Sequence, residues 1–174
     1  QKNLGAIVVS LLAAAVLAAP AQALDDRRDL GTFGDWDAQV ITKSGGVKEC
    51  FMVSKAKKWT ANRKNVSRGD IYITVTNRPK LGIKDQVNVN VGYPLAEGGT
   101  VRLAIDGRSR FEFFNAGNSA WAYSDSDDRA AVAAMKAGSS LVVTGKSERG
   151  TATTDTYSLR GFTAANRAID NACR

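Results

Sequence analysis

The sequence predicts an all-β domain with two short helices, a β-sandwich or barrel of about nine short antiparallel strands. Three observations carry this. Apolar and polar residues alternate at period two in segment after segment. Turn signals built from Gly, Asn and Asp recur at a spacing of roughly 8–12 residues. Helical spacing is confined to two short stretches late in the chain, too few for a parallel α/β fold.

The strands follow in order. Residues 25–29, Asp-Asp-Arg-Arg-Asp, read as a charged and mobile lead-in. Trp36, Ala38 and Val40 then alternate with Asp35, Asp37 and Gln39, a half-buried strand. Gly45-Gly46 turns the chain into a second strand over 49–57, with Cys50, Met52 and Ser54 on one face. Residues 57–69 read as a basic loop, or as a pair of strand ends around one. The stretch 70–77, Asp-Ile-Tyr-Ile-Thr-Val-Thr-Asn, is β-branched and aromatic, and Pro79 ends it. Val87, Val89 and Val91 point inward, with Asn88 and Asn90 outward. Val101, Leu103 and Ile105 form one face of the next strand. Asp106-Gly107 is a type I′ hairpin signal leading back through 108–114. A short strand at 120–123 precedes a helix over 127–137, which Ser126 caps and Gly138 ends. Strands at 140–144 and 151–159 follow. Thr163 caps a closing helix over 164–173, with Ala165, Ile169, Ala172 and Cys173 on its inner face.

The 174 residues predict one domain at 24–174 behind a leader. Lys2, an apolar run over 4–19 and the Pro20-Ala-Gln-Ala23 exit form a secretory signal peptide, residues 1–23. The run is shorter than the roughly 20 residues of a bilayer span, and no later stretch is apolar enough to cross one. The expected location is the periplasm or the secreted fraction. Two cysteines in an exported chain predict one disulfide, Cys50–Cys173, with two free thiols as the alternative.

Charge and composition narrow the chemistry. Lys and Arg number 24 against 17 Asp and Glu, a net +7. Export argues against nucleic acid as the partner. Lipopolysaccharide, lipid headgroups, acidic glycans or an acidic protein at the envelope or host surface suit such a surface. The chain has no histidine, which excludes a Ser-His-Asp triad, a Cys-His pair and any His-ligated metal. No serine sits in a Gly-x-Ser-x-Gly context. We therefore expect no catalytic set, no metal and no cofactor.

Two clusters merit weighing. Lys55, Lys57, Lys58, Arg63, Lys64 and Arg68, with Trp59 among them, form a candidate anion-binding segment. Trp59 would stack on a sugar or sit at a membrane surface, or else cover the edge of the core. Glu112, Asp125, Asp127 and Asp128 are the acids to test for a carboxylate hydrolase or calcium. Helix capping explains the three aspartates without metal. Trp36 and Trp121 are expected in the core.

Gly34-Asp35-Trp36, Cys50, and Ser158-Leu-Arg-Gly-Phe-Thr-Ala-Ala165 running into Ile169-Asp170-x-x-Cys173 bracket most of the chain. On these residues the chain resembles the invasion-associated locus B proteins, exported proteins of alphaproteobacteria. The resemblance implies an immunoglobulin-like β-sandwich, a periplasmic or outer-membrane-associated location, and in one branch a link to host-cell entry. The resulting expectation is a non-enzymatic binding module. The alternative is an envelope assembly factor that works by protein–protein contact.

Overall fold

A computed structural model describes residues 25–174; the expected signal peptide, 1–23, lies outside the described residues. The all-β class holds, with eleven strands among the described residues where about nine are expected. They are β1 (Asp26–Phe33), β2 (Trp36–Lys43), β3 (Val47–Lys55), β4 (Lys58–Ala61), β5 (Tyr72–Arg78), β6 (Ile83–Asn90), β7 (Thr100–Ile105), β8 (Ser109–Ala116), β9 (Ser119–Trp121), β10 (Ser140–Lys146) and β11 (Ala152–Ser158). Helix α1 (Asp125–Ala137) falls between β9 and β10, and α2 (Phe162–Ala172) closes the chain.

All pairings are antiparallel and form one sheet in the order β1-β2-β3-β5-β6-β9-β8-β7-β10-β11-β4. Only Ala56 and Lys57 separate β3 from β4. The Ala56 N–H donates to Ile71, just before β5, and the Lys57 N–H donates to Thr156 of β11. One bent strand thus joins β4, at one end of the order, to β3, so the pairings from β3 to β4 close into a ring, with β2 and the edge strand β1 extending beyond it. Two separate sheets, as in an immunoglobulin-like sandwich, are not what the pairing shows. Closure leaves few open edges for another chain to pair with.

Two sequence readings change here. The charged lead-in is ordered as β1, held to β2 from Asp26↔Thr42 to Phe33↔Trp36, with a bulge between Asp29 and Gly31. Its charges suit an edge strand and obscured the strand pattern. In the 57–69 segment the plain-loop reading gives way to its strand-end alternative: residues 58–61, near the start, are β4, paired with β11 from Lys58↔Thr156 to Ala61↔Thr153.

The period-two faces are otherwise as expected. Met52, Ile73, Val75, Val87, Val89, Leu103, Leu141 and Val143 are fully buried. Asp106 and Gly107 both take positive φ, 48° and 68°, as a type I′ turn requires. Trp36 is in the core, edge-on to Phe162 with ring centroids 4.8 Å apart, and its indole N–H donates to the Ser158 carbonyl. Trp121 is only half-buried and lies directly across from Phe114 and Asn88. That pairing covers Asn88, which is buried instead of facing water.

Both helices begin earlier than their sequence signals suggest. Ser124, not Ser126, caps α1, accepting from the Asp127 N–H at 3.2 Å. Gly138 ends α1 at φ −99°, outside the left-handed region. It is glycine because a Cβ there would overlap the Ile105 side chain. Helix α2 starts at Gly161 with φ 91°, and Thr163 donates to the Lys136 carbonyl rather than capping. A Cβ on Gly161 would overlap the Phe33 carbonyl, so the Gly-Phe pair sets how closely α2 approaches β1.

Helix α2 packs on β1, β2, β3 and β5, burying Phe162, Ala165 and Ile169. Its end is bonded covalently: Cys50 and Cys173 form the expected disulfide, 123 residues apart in sequence. Polar contacts surround the bond. Asn77 donates to Asp170 at 2.9 Å, Lys48 donates to the Ala172 carbonyl at 2.9 Å, and Asn166 donates to Asp85 at 3.1 Å.

Helix α1 packs on β6, and Asp128 is carried into that contact, where its carboxylate accepts from the Val87 N–H at 2.9 Å. Burial, with Asp125, Asp127 and Asp85 nearby, raises its pKa from 3.8 to about 6 against the effect of that hydrogen bond. The folded state then holds a proton that the unfolded chain has already lost. Stability should therefore fall as pH rises from 3.8 to about 6. Asp128→Asn keeps an oxygen acceptor for Val87 and removes the titration. Denaturation midpoints measured across that window should be flatter for the variant than for wild type.

Candidate functional site

Strand β4 runs into a loop at 62–68, and β10 and β11 are joined by a loop at 147–151. Pairing of β4 with β11 places these loops side by side. The Asn62 N–H donates to the Ala152 carbonyl at 3.1 Å, and the Ala152 N–H donates to the Asn62 side chain at 3.0 Å. Asn65, at φ 56°, and Gly150, at φ 78°, make the turns. Within the second loop the Thr151 N–H donates to the Ser147 hydroxyl at 3.1 Å, and the Glu148 N–H donates to the Pro94 carbonyl at 3.0 Å.

Between the loops lies an open cleft of about 530 Å³, with Gly92, Tyr93 and Pro94 also lining it. Arg63 and Lys64 enter it from one loop and Arg149 from the other. All three are exposed, and none is in an ion pair among the described residues. A Cβ at Gly150 would sit 3.8 Å from both the Arg63 guanidinium and the Lys146 chain. Lys146 therefore adds a fourth cation beside the cleft.

Arg68 has a different role from its neighbours. Its side chain is 1% exposed, as is that of Asp155. The two form a doubly hydrogen-bonded ion pair at 2.5 and 2.7 Å, and Arg68 also donates to the Val91 carbonyl at 2.7 and 3.1 Å. The guanidinium lies between the rings of Trp59, 5.1 Å away, and Tyr93, 5.0 Å away. Tyr93 is fixed in turn by a 2.6 Å hydrogen bond to Thr153. Burial raises the Tyr93 pKa, so the phenol stays neutral. Arg68 is thus a pillar beneath the cleft and presents no charge outward. Trp59 is 42% exposed, with its ring committed to Arg68.

The remaining candidates are divided. Lys55 and Lys58 are exposed at the β3–β4 bend. Lys57 bonds to Asp35 at 2.6 Å. Lys57, the Ser158 hydroxyl and Arg160 hold the Asp35 carboxyl well below the usual carboxylate range. That pairing leaves Lys57 partly neutralised. Cys50 and Cys173 are the structural bond described above.

The acids do not assemble as a pair for acid–base work. Glu112 pairs with Arg102 at 2.9 Å, where both side chains are exposed. Asp125 and Asp127 stand in the first turn of α1, and Asp128 is buried against β6. Among the described residues no three His, Cys, Asp or Glu side chains come together as a metal site. No helix among them is long and apolar enough to cross a membrane.

Sequence reasoning found Arg63 and Lys64 but missed Arg149 and Lys146. These two lie more than eighty positions later, Lys146 at the end of β10 and Arg149 in the loop after it, with no signal beyond that loop's own turn residues. Only the β4–β11 pairing brings them to the basic segment.

The family model described as invasion associated locus B (IalB) protein matches residues 36–170. No curated protein and no solved structure matches the chain. The match covers most of the chain, which belongs to the invasion associated locus B family.

Proposed function

We propose that this member of the invasion associated locus B family is an exported, non-enzymatic binding module of the cell envelope that engages an anionic component. The observation that carries this reading is the group of cations Arg63, Lys64 and Arg149, none in an ion pair among the described residues, around one cleft on a disulfide-closed scaffold. Cations without protein partners attract anions from solution and hold them where several converge. The disulfide and the basic surface suit an exported protein. The family description makes host-cell contact one setting for such binding.

The test is binding to lipopolysaccharide or anionic vesicles by wild type and by Lys57→Ala/Lys58→Ala/Lys64→Ala. Each cation near an anionic surface contributes about 1 kcal/mol. The triple variant should therefore bind at least about tenfold more weakly at low salt, with Lys57 contributing least because Asp35 already holds it. Equal binding by the two proteins would remove this reading.

A second reading is a protein–protein module, such as an envelope assembly factor. It is favoured by Phe114 and Tyr123, which are 38% and 61% exposed with ring centroids 5.5 Å apart. Capture of one envelope protein in a pull-down, unaffected by salt and lost in Tyr123→Ala, would select it.

A further inference from the structure

We infer that the cleft between the 62–68 and 147–151 loops is a site for a phosphate monoester carried on a small hydroxylated body, a sugar phosphate. The inference rests on the anionic-partner reading and narrows it to one place and one chemistry. Arg63 and Arg149 approach from opposite loops, and among the described residues no carboxylate is ion-paired to either. Two guanidiniums and one ammonium supply forked donors that match a tetrahedral oxyanion better than lysines alone would. The volume of about 530 Å³ falls within the range that holds small ligands.

The rest of the lining mixes apolar Val66 and Pro94 with uncharged polar side chains and one acid. Asn65, Ser67 and Ser147 offer donors and acceptors suited to sugar hydroxyls. Glu148 adds an acceptor and repels a second anionic group, which favours one phosphate over many. Beneath them the Trp59–Arg68–Tyr93 stack and the Arg68–Asp155 pair hold the cleft wall rigid. A site already in shape loses little freedom on binding.

Calorimetric titration of the disulfide-bonded protein tests this, using glucose 6-phosphate, glucose and inorganic phosphate as probes. Phosphatidylcholine vesicles carrying lipid A form a separate arm. Glucose 6-phosphate should bind at least about tenfold more tightly than glucose or inorganic phosphate, since the site reads both halves of the ligand. Arg149→Ala should weaken it by about tenfold or more, whereas Lys136→Ala, exposed on α1 and outside the cleft, should leave it unchanged. Competition between the free sugar phosphate and the lipid A vesicles would show that a lipid headgroup fills the same site. Vesicle binding without that competition would confine the site to soluble ligands.

Equal affinity for glucose and glucose 6-phosphate would overturn the inference, as would an Arg149→Ala variant that binds like wild type. If anionic vesicles still bind through Lys55 and Lys58 in that case, the broader anionic reading stands and only the cleft assignment fails. Loss of binding to every anionic probe by wild type would remove both.

Discussion

Arg68→Ala is expected to destabilise the protein by about 3–5 kcal/mol, because it strands a buried carboxylate without a partner. Asp155 and Arg68 have side chains only 1% exposed. Removing the guanidinium also releases the Val91 carbonyl from two donors and separates the Trp59 and Tyr93 rings. Asp155→Ala should cost a comparable amount by leaving the cation unpaired. The double change Arg68→Met/Asp155→Leu replaces both charges with apolar volume and should recover much of the loss. Urea denaturation midpoints of the three variants check this. A loss under 1 kcal/mol in Arg68→Ala would mean that water enters and solvates Asp155.

Cys173→Ser, or reduction of the native bond, is expected to lower stability by about 2–5 kcal/mol. The bond links positions 123 residues apart in sequence, so it restricts the unfolded chain strongly. Loop entropy acts on the unfolded state, while the contacts of α2 remain in the folded one. The helix should therefore stay docked through Phe162, Ile169 and the Asn77–Asp170 bond, with a reduced melting temperature. An unchanged melting temperature would show that the clamp adds nothing.

Legibility in the sequence followed the range of each signal. Alternating valines at 87, 89 and 91 and the Asp106-Gly107 turn report local geometry, and both appear as expected. The Cys50–Cys173 bond was legible only because two cysteines leave one pairing. Strand β1 was not legible, since its charges mask an edge whose order comes from the ladder with β2. The closure through Ala56 and Lys57 was hidden for a similar reason: it depends on which strands the two neighbouring N–H groups reach.

The site was half legible for the same physical cause. A run of cations announces a basic surface, but it does not say which cation turns inward. Arg68 does so because Asp155 lies on β11, whose register against β4 is a long-range fact. Arg149 joins Arg63 and Lys64 through that same pairing.

The most direct test of the central claim is co-sedimentation with lipopolysaccharide vesicles at low and at high salt. It compares wild type with Arg63→Ala/Lys64→Ala/Arg149→Ala, all three substitutions lying on exposed loop side chains. Wild type should sediment at low salt and be released at high salt. The variant, with its melting temperature unchanged, should remain in the supernatant at both. A variant that sediments like wild type would contradict the placing of the anionic partner on the cleft cations.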